Sequence, residues 1–198
     1  MANYQKQEST HLRFAVLAAD IALFTIRDRL LLVRLMTVRR PPYFPSNPGL
    51  PGGLIDPKET AEEAALRIVS VKGNVNPMNV HLEQLATFSK IDRDERGRVV
   101  AVAYLGLVPW EKLSFDEQTD GDDARWVPVR MAKKLAYDHD EMLAAALTRL
   151  RSKVTYTTLI GKLMPKEFTL TELESAYVSI LRTALDKRNF RKKIHKLN

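Results

Sequence analysis

The 198-residue sequence has no cysteine, which excludes disulfides, thiolate metal sites and cysteine nucleophiles together. Glycine is sparse at 8 residues and proline stands at 10, and no repeat or low-complexity tract interrupts the chain. With 45% hydrophobic and 28% charged residues, the composition is that of an ordinary globular protein. Long hydrophobic runs are missing. The most apolar stretch, Phe14 to Ile26, is broken by Asp20 and is too short to span a bilayer. The first ten residues are polar and lack the apolar centre of a secretion signal. A cytoplasmic protein with no membrane role is expected, built as one domain or two small ones.

Acidic residues are also missing from one place. Residues 1–150 carry equal numbers of bases and acids, whereas residues 151–198 carry eleven Lys and Arg against four Asp and Glu. The whole net charge of +7 therefore lies in the last quarter, and it is densest between Lys187 and Lys196. A balanced body with a basic tail predicts two modules, residues 1–150 and 151–198, and a polyanionic partner. The plainer alternative is a solvated cationic helix end.

In the first module, Arg13 to Ile26, Leu30 to Met36, Leu85 to Ser89, Val99 to Val108 and Ala124 to Val129 read as strands separated by charged turns. Thr60 to Lys72 reads as a helix. Thr60 and Glu63 are spaced as a capping box, Ala61, Ala64, Ala65, Ile68 and Val71 as one buried face, and Gly73 as a stop. A second helix starts near Asp138 or Asp140 and turns Met142, Leu143, Ala146, Leu147 and Leu150 toward a core. The basic module reads as all-helical. Thr155 to Met164 is a short helix ended by Pro165, Leu170 to Leu181 a second with Thr169 and Glu172 as its capping box, and Lys187 to about Lys196 a third, capped by Asp186.

Two constellations carry chemistry. In the first, Leu50-Pro51-Gly52-Gly53 is followed by Glu59, Ala64-Ala65 and Arg67. This segment resembles the signature of the Nudix superfamily, in which a glycine, a glutamate and an arginine at the spacing of Gly53, Glu59 and Arg67 precede three metal-binding glutamates. Where the family places those glutamates this chain has Ile68, Val71 and Lys72, and its closing glycine comes one place early, at Gly73. A divalent ion needs several hard oxygens, and these side chains offer none. The Lys72 ammonium would oppose a cation there. Glu62 and Glu63 lie too far along the helix for the same metal geometry, and a base supplied from another place, Glu59 included, is the alternative. Candidate ligand contacts are Gly52 and Gly53, where backbone can approach closely, and Arg39, Arg40 and Arg67 as cations. The alternatives are a Glu59–Arg67 ion pair that braces the loop, and Arg39 and Arg40 as a plain turn before Pro41-Pro42.

In the second constellation, Leu173, Tyr177 and Ile180 form one apolar stripe and Phe190, Ile194 and Leu197 another, joined by a connection of about four residues from Arg182 to Leu185. Such a unit reads as a helix-turn-helix whose second helix enters the major groove of double-stranded DNA. Arg188 and Asn189 are placed for base edges, and Arg191, Lys192 and Lys193 for phosphates. Candidate DNA contacts are thus Thr171, Lys187, Arg188, Asn189, Arg191 and Lys192. A helical subdomain for dimerisation or for another protein is the competing reading.

The chain as a whole resembles the NrtR family, Nudix-related transcriptional regulators of NAD metabolism. Beyond the box, the likeness rests on Leu85-Ala86-Thr87-Phe88-Ser89, Arg93-Asp94 with Arg96-Gly97-Arg98, Ala103-Tyr104-Leu105, Ala124-Arg125-Trp126, Leu135 to His139, and Phe168 through Arg191. The resemblance implies an α+β fold: a Nudix-like α/β/α sandwich with a mixed sheet, followed by a small winged helix-turn-helix. It further implies a homodimeric repressor that binds a palindromic operator, senses ADP-ribose or a related nucleotide, and needs no cofactor or metal. A Nudix hydrolase acting on ADP-ribose or another nucleoside diphosphate derivative is the alternative. The family pattern continues into a β-hairpin wing past the third helix, whereas this sequence stops at Asn198, so the wing is expected either to lie beyond that residue or to be absent. The segment Tyr43 to Gly49 also lacks the tryptophan common before Leu-Pro-Gly-Gly.

Overall fold

Runs of Val, Ile, Leu and Ala carry the first strands, because β-branched and apolar side chains fill both sides of a sheet that is covered on both faces. The computed structural model describes residues 14–121 and 123–184, together with Asp186, Arg188, Phe190 and Lys192. Strands β1 (Val16–Arg27), β2 (Leu30–Arg40), β3 (Phe44–Gly49), β4 (Gly52–Leu54), β5 (His81–Phe88), β6 (Val99–Leu107) and β7 (Ala124–Pro128) form one sheet. Its central order is β3-β2-β1-β6-β5, with β4 added to β1 and β7 to β2. The β1–β6 pair is parallel and the other pairs are antiparallel, so the sheet is mixed.

The strands expected from the sequence are present, with β1 starting at Val16 rather than Arg13. Two strands were not expected. Phe-Pro-Ser-Asn-Pro-Gly and Gly-Gly-Leu have little strand propensity of their own, and β3 and β4 exist because β2 and β1 offer them edges to pair with. β2 runs through Arg39 and Arg40 to its end, so these arginines finish a strand and do not sit in the turn.

Helix α1 (Ala61–Val71) begins on the expected Thr60–Glu63 capping box. It buries Ala64, Ala65, Ile68 and Val69 on one face of the sheet. Val71, expected on that buried face, is 73% exposed, because the helix turns Val69 inward instead. The end of α1 is tied to β2 by Arg34, a buried guanidinium that donates from Nε to the Gly73 carbonyl at 2.8 Å and lies over the Trp126 ring. After the short α2 (Phe115–Gln118) and β7, helix α3 (His139–Tyr156) packs Met142, Leu143, Ala146, Leu150 and Val154 on the opposite face, with Leu147 half-buried beside them. Asp138 occupies its N-cap position but does not cap with its side chain.

The helix expected over Thr155 to Met164 is not there. α3 extends through Thr155 to Tyr156, and Leu159–Lys162 forms only a 3₁₀ turn before Pro165. Helix α4 (Leu170–Leu181) has the expected limits and the expected Thr169–Glu172 capping box. Its Leu173, Ala176 and Ile180 join the same core as α3 and the sheet. α3 thus runs unbroken across the expected boundary at residue 150.

Candidate ligand cavity and nucleic-acid interface

A charge inside an apolar strand needs a partner when the strand is buried. Asp20, the one acid in β1, lies opposite Gly52 of β4 and Ala103 of β6. A Cβ on residue 52 would stand 1.8 Å from Asp20 Oδ1, so only glycine lets β4 close over this carboxylate. Arg93 donates to both oxygens of Asp138, from Nε at 2.9 Å and from its terminal nitrogen at 2.6 Å, and that same terminal nitrogen is 3.5 Å from Asp20 Oδ2. This explains why Asp138 leaves the end of α3 uncapped. His139 Nδ1 accepts the Leu50 N–H at 3.0 Å, which leaves the ring proton on Nε2, 3.6 Å from Asp20 Oδ1. One buried cluster therefore joins the Leu-Pro-Gly-Gly loop, the segment before β6 and the first residue of α3.

Above it opens a cavity of about 480 Å³. Its wall includes Arg39, Arg40, Gly52 and Gly53, which the sequence nominated, with Lys72, Arg96 and Tyr137. Arg39 pairs with Asp123. Asp94 accepts from Arg96 at 2.9 and 2.6 Å, and the Arg96 guanidinium holds its carboxyl below the usual carboxylate range while its own pKa rises. Arg96 also lies over Tyr137, whose ring packs on Phe44 and His139 and forms an aromatic side to the cavity. Among the described residues the Arg40 side chain donates to the Arg39 carbonyl and pairs with no carboxylate. Burial, followed by repulsion from Arg40, pushes the Lys72 ammonium pKa down, although Asp20 opposes this.

Arg67 does not line the cavity. It donates to Glu59 and to the Leu54 carbonyl, the bracing arrangement. Hydrogen bonds from Arg67 and from the Asp56 N–H bring Glu59 from its ordinary 4.5 down to about 2. Since the folded-state value is depressed, the clamp contributes above the ordinary carboxylate range and is lost only as pH falls through about 2. An NMR titration should place the Glu59 midpoint near 2, and Arg67→Ala should return it toward 4.5. An unshifted midpoint in the parent protein would contradict the bracing role.

The divalent ion that the Nudix resemblance implies does not fit these residues. Ile68 is wholly buried against the sheet, Val71 is aliphatic, and the Lys72 ammonium donates to the Gly52 carbonyl at 2.5 Å. Glu63 is engaged with Thr60, and neither Glu59, Glu62 nor Glu63 lines the cavity. Among the described residues no group of three or more His, Asp or Glu side chains is arranged to hold an ion.

Comparison with known proteins identifies the architecture. The NUDIX domain profile matches residues 15–146 and that of the NrtR DNA-binding winged helix domain matches residues 160–198. The chain is 30% identical over 200 residues to the ADPR responsive transcriptional repressor NtrR of Acinetobacter baylyi, covering 98% of this chain and 76% of that protein. The chain belongs to the NrtR family. Shewanella oneidensis NrtR complexed with a 27mer DNA superposes with a TM-score of 0.79 at 32% identity, over 91% of this chain and 82% of that one. The NUDIX domain of the same protein complexed with ADP ribose superposes with a TM-score of 0.60 at 33% identity, over 70% and 90%. The expected fold is thus observed, a Nudix domain with a mixed sheet followed by a helical winged-helix module.

In this NrtR chain, α4 ends at Arg182 in the left-handed conformation, which turns the chain toward the next helix. Asp186 accepts the Arg188 N–H at 3.0 Å, as a cap should. Arg188, Phe190 and Lys192 are helical; Phe190 packs edge-on against Tyr177 at 5.3 Å, and Arg188 and Lys192 are exposed. Thr171 is exposed in the first turn of α4, beside Ser175 and across a shallow pocket from Ile26 and Arg29. Lys187, Asn189 and Arg191 lie outside the described residues. Sequence reasoning did not nominate Asp20, Arg93, Asp94, Arg96, Tyr137 or His139 as site residues. The solitary charge of Asp20 in an apolar strand was the available signal. No described helix is long and apolar enough to cross a membrane.

Proposed function

We propose that this chain is a transcriptional repressor of NAD metabolism genes that holds operator DNA with its C-terminal helix-turn-helix and releases it when ADP-ribose, or a related nucleotide, fills the cavity. It works as a cytoplasmic homodimer on a palindromic operator, because a two-fold protein matches two half-sites. Arg39, Arg40, Gly52 and Gly53 contact the ligand, and Arg67 serves it indirectly by holding the loop. Thr171, Lys187, Arg188, Asn189, Arg191 and Lys192 face DNA. The cations suit a diphosphate and Tyr137 suits the face of a base. Hydrolysis is not part of this function, a reading supported by the absence of carboxylates at positions 68, 71 and 72.

The observation that carries this reading is the path of α3. Its first residue, His139, lines the cavity and holds the Leu50 N–H. In its later turns, Arg151 Nε donates to the Ile180 carbonyl at 3.0 Å, one residue from the end of α4. A single helix of about 27 Å therefore runs from the cavity to the first helix of the helix-turn-helix, a connection that supports coupling between the two ligands.

The test is a titration of upstream duplex DNA at low salt, with and without ADP-ribose. Complex formation, and a loss of affinity of about 5-fold to 150-fold on adding ADP-ribose, is expected for coupling of ordinary size. Absence of a complex would overturn the DNA-binding reading. Appreciable release of AMP from ADP-ribose with Mg²⁺ would favour the hydrolase.

A further inference from the structure

The charges in the cavity wall do not cancel. Asp123 is paired with Arg39 and Asp94 with Arg96, while Arg93 is shared between Asp20 and, behind the wall, Asp138, so five cations stand against four carboxylates. Among the described residues Arg40 and Lys72 are the wall cations that pair with no carboxylate, and each donates to a backbone carbonyl. Lys72 is the better placed. It is half-buried, its Nζ touches the Gly52 carbonyl, and a Cβ on Gly53 would lie 3.1 Å from it. The ammonium is thus fixed at the Gly-Gly start of β4, at the C-terminal end of the helix where the Nudix pattern positions its ion. A pyrophosphate diester presents an oxyanion on each phosphorus, and bringing it into a low-dielectric cavity requires positive charge nearby.

We propose that the Lys72 ammonium is a tethered counter-ion that takes the place of the divalent metal, so that nucleoside diphosphate derivatives bind this cavity without any metal ion. The proposal rests on the cavity being the effector site, as proposed above. The geometry has a direct chemical consequence. An ammonium supplies positive charge and three donors, which is sufficient to hold a diphosphate. It cannot polarise a phosphoryl oxygen and generate a metal-bound hydroxide in the manner of a divalent ion. Repulsion between Arg40 and Lys72 in the cavity wall is relieved by an anion, so the ligand also gains from the charge placed there.

The test is calorimetric titration of the full chain with ADP-ribose, with inorganic pyrophosphate and with adenosine, each in EDTA and in Mg²⁺. The parent protein should bind ADP-ribose equally well in both. Lys72→Met should weaken ADP-ribose and pyrophosphate by about tenfold or more while leaving adenosine unchanged. Lys72→Glu should lose ADP-ribose by about a hundredfold or more in EDTA and recover part of it in Mg²⁺. A purely structural lysine would alter adenosine and diphosphate binding together and would give no recovery in Mg²⁺. Parent binding that requires Mg²⁺, or Lys72→Met binding like the parent, would overturn the proposal. Failure of the parent to bind ADP-ribose in either condition would remove the effector reading; pyrophosphate binding that still depends on Lys72 would then keep the counter-ion role.

Discussion

Arg93→Met is expected to destabilise the folded protein by about 3–5 kcal/mol, the cost of removing one partner from a buried ion cluster. The size follows from what is left behind. Asp20 and Asp138 each retain only 7% side-chain exposure, and both lean on the same guanidinium, which is itself 3% exposed. Methionine fills the volume but supplies no donor, so two carboxylates face each other in the interior. Relief should come from removing the charges: Arg93→Met with Asp138→Asn should be more stable than Arg93→Met alone, since the amide carries no charge and brings its own donors. Urea unfolding monitored by tryptophan fluorescence reads both. A loss below about 1 kcal/mol would mean that water reaches the cluster and screens it as at a surface. The loss should be accompanied by weaker ADP-ribose binding, because Asp20 lies under Gly52 and its displacement moves β4.

How far the sequence reveals this arrangement depends on the range over which each feature is determined. Capping boxes are local, and Thr60–Glu63 and Thr169–Glu172 stand where the sequence puts them. So does the Gly53, Glu59 and Arg67 spacing, with its brace. The strands β3 and β4 are not local. Pro45, Pro48, Gly52 and Gly53 argue against strand, and only pairing with β2 and β1 makes them so. Val71 was misplaced because two helical positions, 69 and 71, competed for the buried stripe, and the sheet surface decides between them. The buried cluster is less local still: Arg93 and Asp138 are 45 residues apart and Leu50 and His139 are 89. A sequence shows each of these as an isolated polar residue. Only the fold shows that they meet, and that α3 carries one of them toward α4.

Raising salt from 50 to 200 mM is expected to weaken the operator complex by about a thousandfold or more, if the proposed dimer makes the six to ten phosphate contacts usual for such modules. The excess charge of residues 151–198 is the source of this dependence. Within it, Arg188 and Lys192 should behave differently although both are exposed on the same helix. Phe190 is held inward by Tyr177, which fixes the helix's rotation. The Asp186 cap places Arg188 in the first turn, where recognition helices meet base edges. Arg188→Ala should therefore cost about 1–3 kcal/mol per half-site on the operator and little on unrelated DNA, flattening the preference at one base position. Lys192→Ala, one turn further on, should weaken binding to all sequences alike and reduce the salt slope by about one per copy. Fluorescence anisotropy at several salt concentrations, on operator and scrambled duplexes, separates the two behaviours. Equal losses on both duplexes for Arg188→Ala would make it a phosphate contact. A salt slope near zero in the parent protein would remove DNA as the partner of this face and return the basic helices to a role in protein assembly.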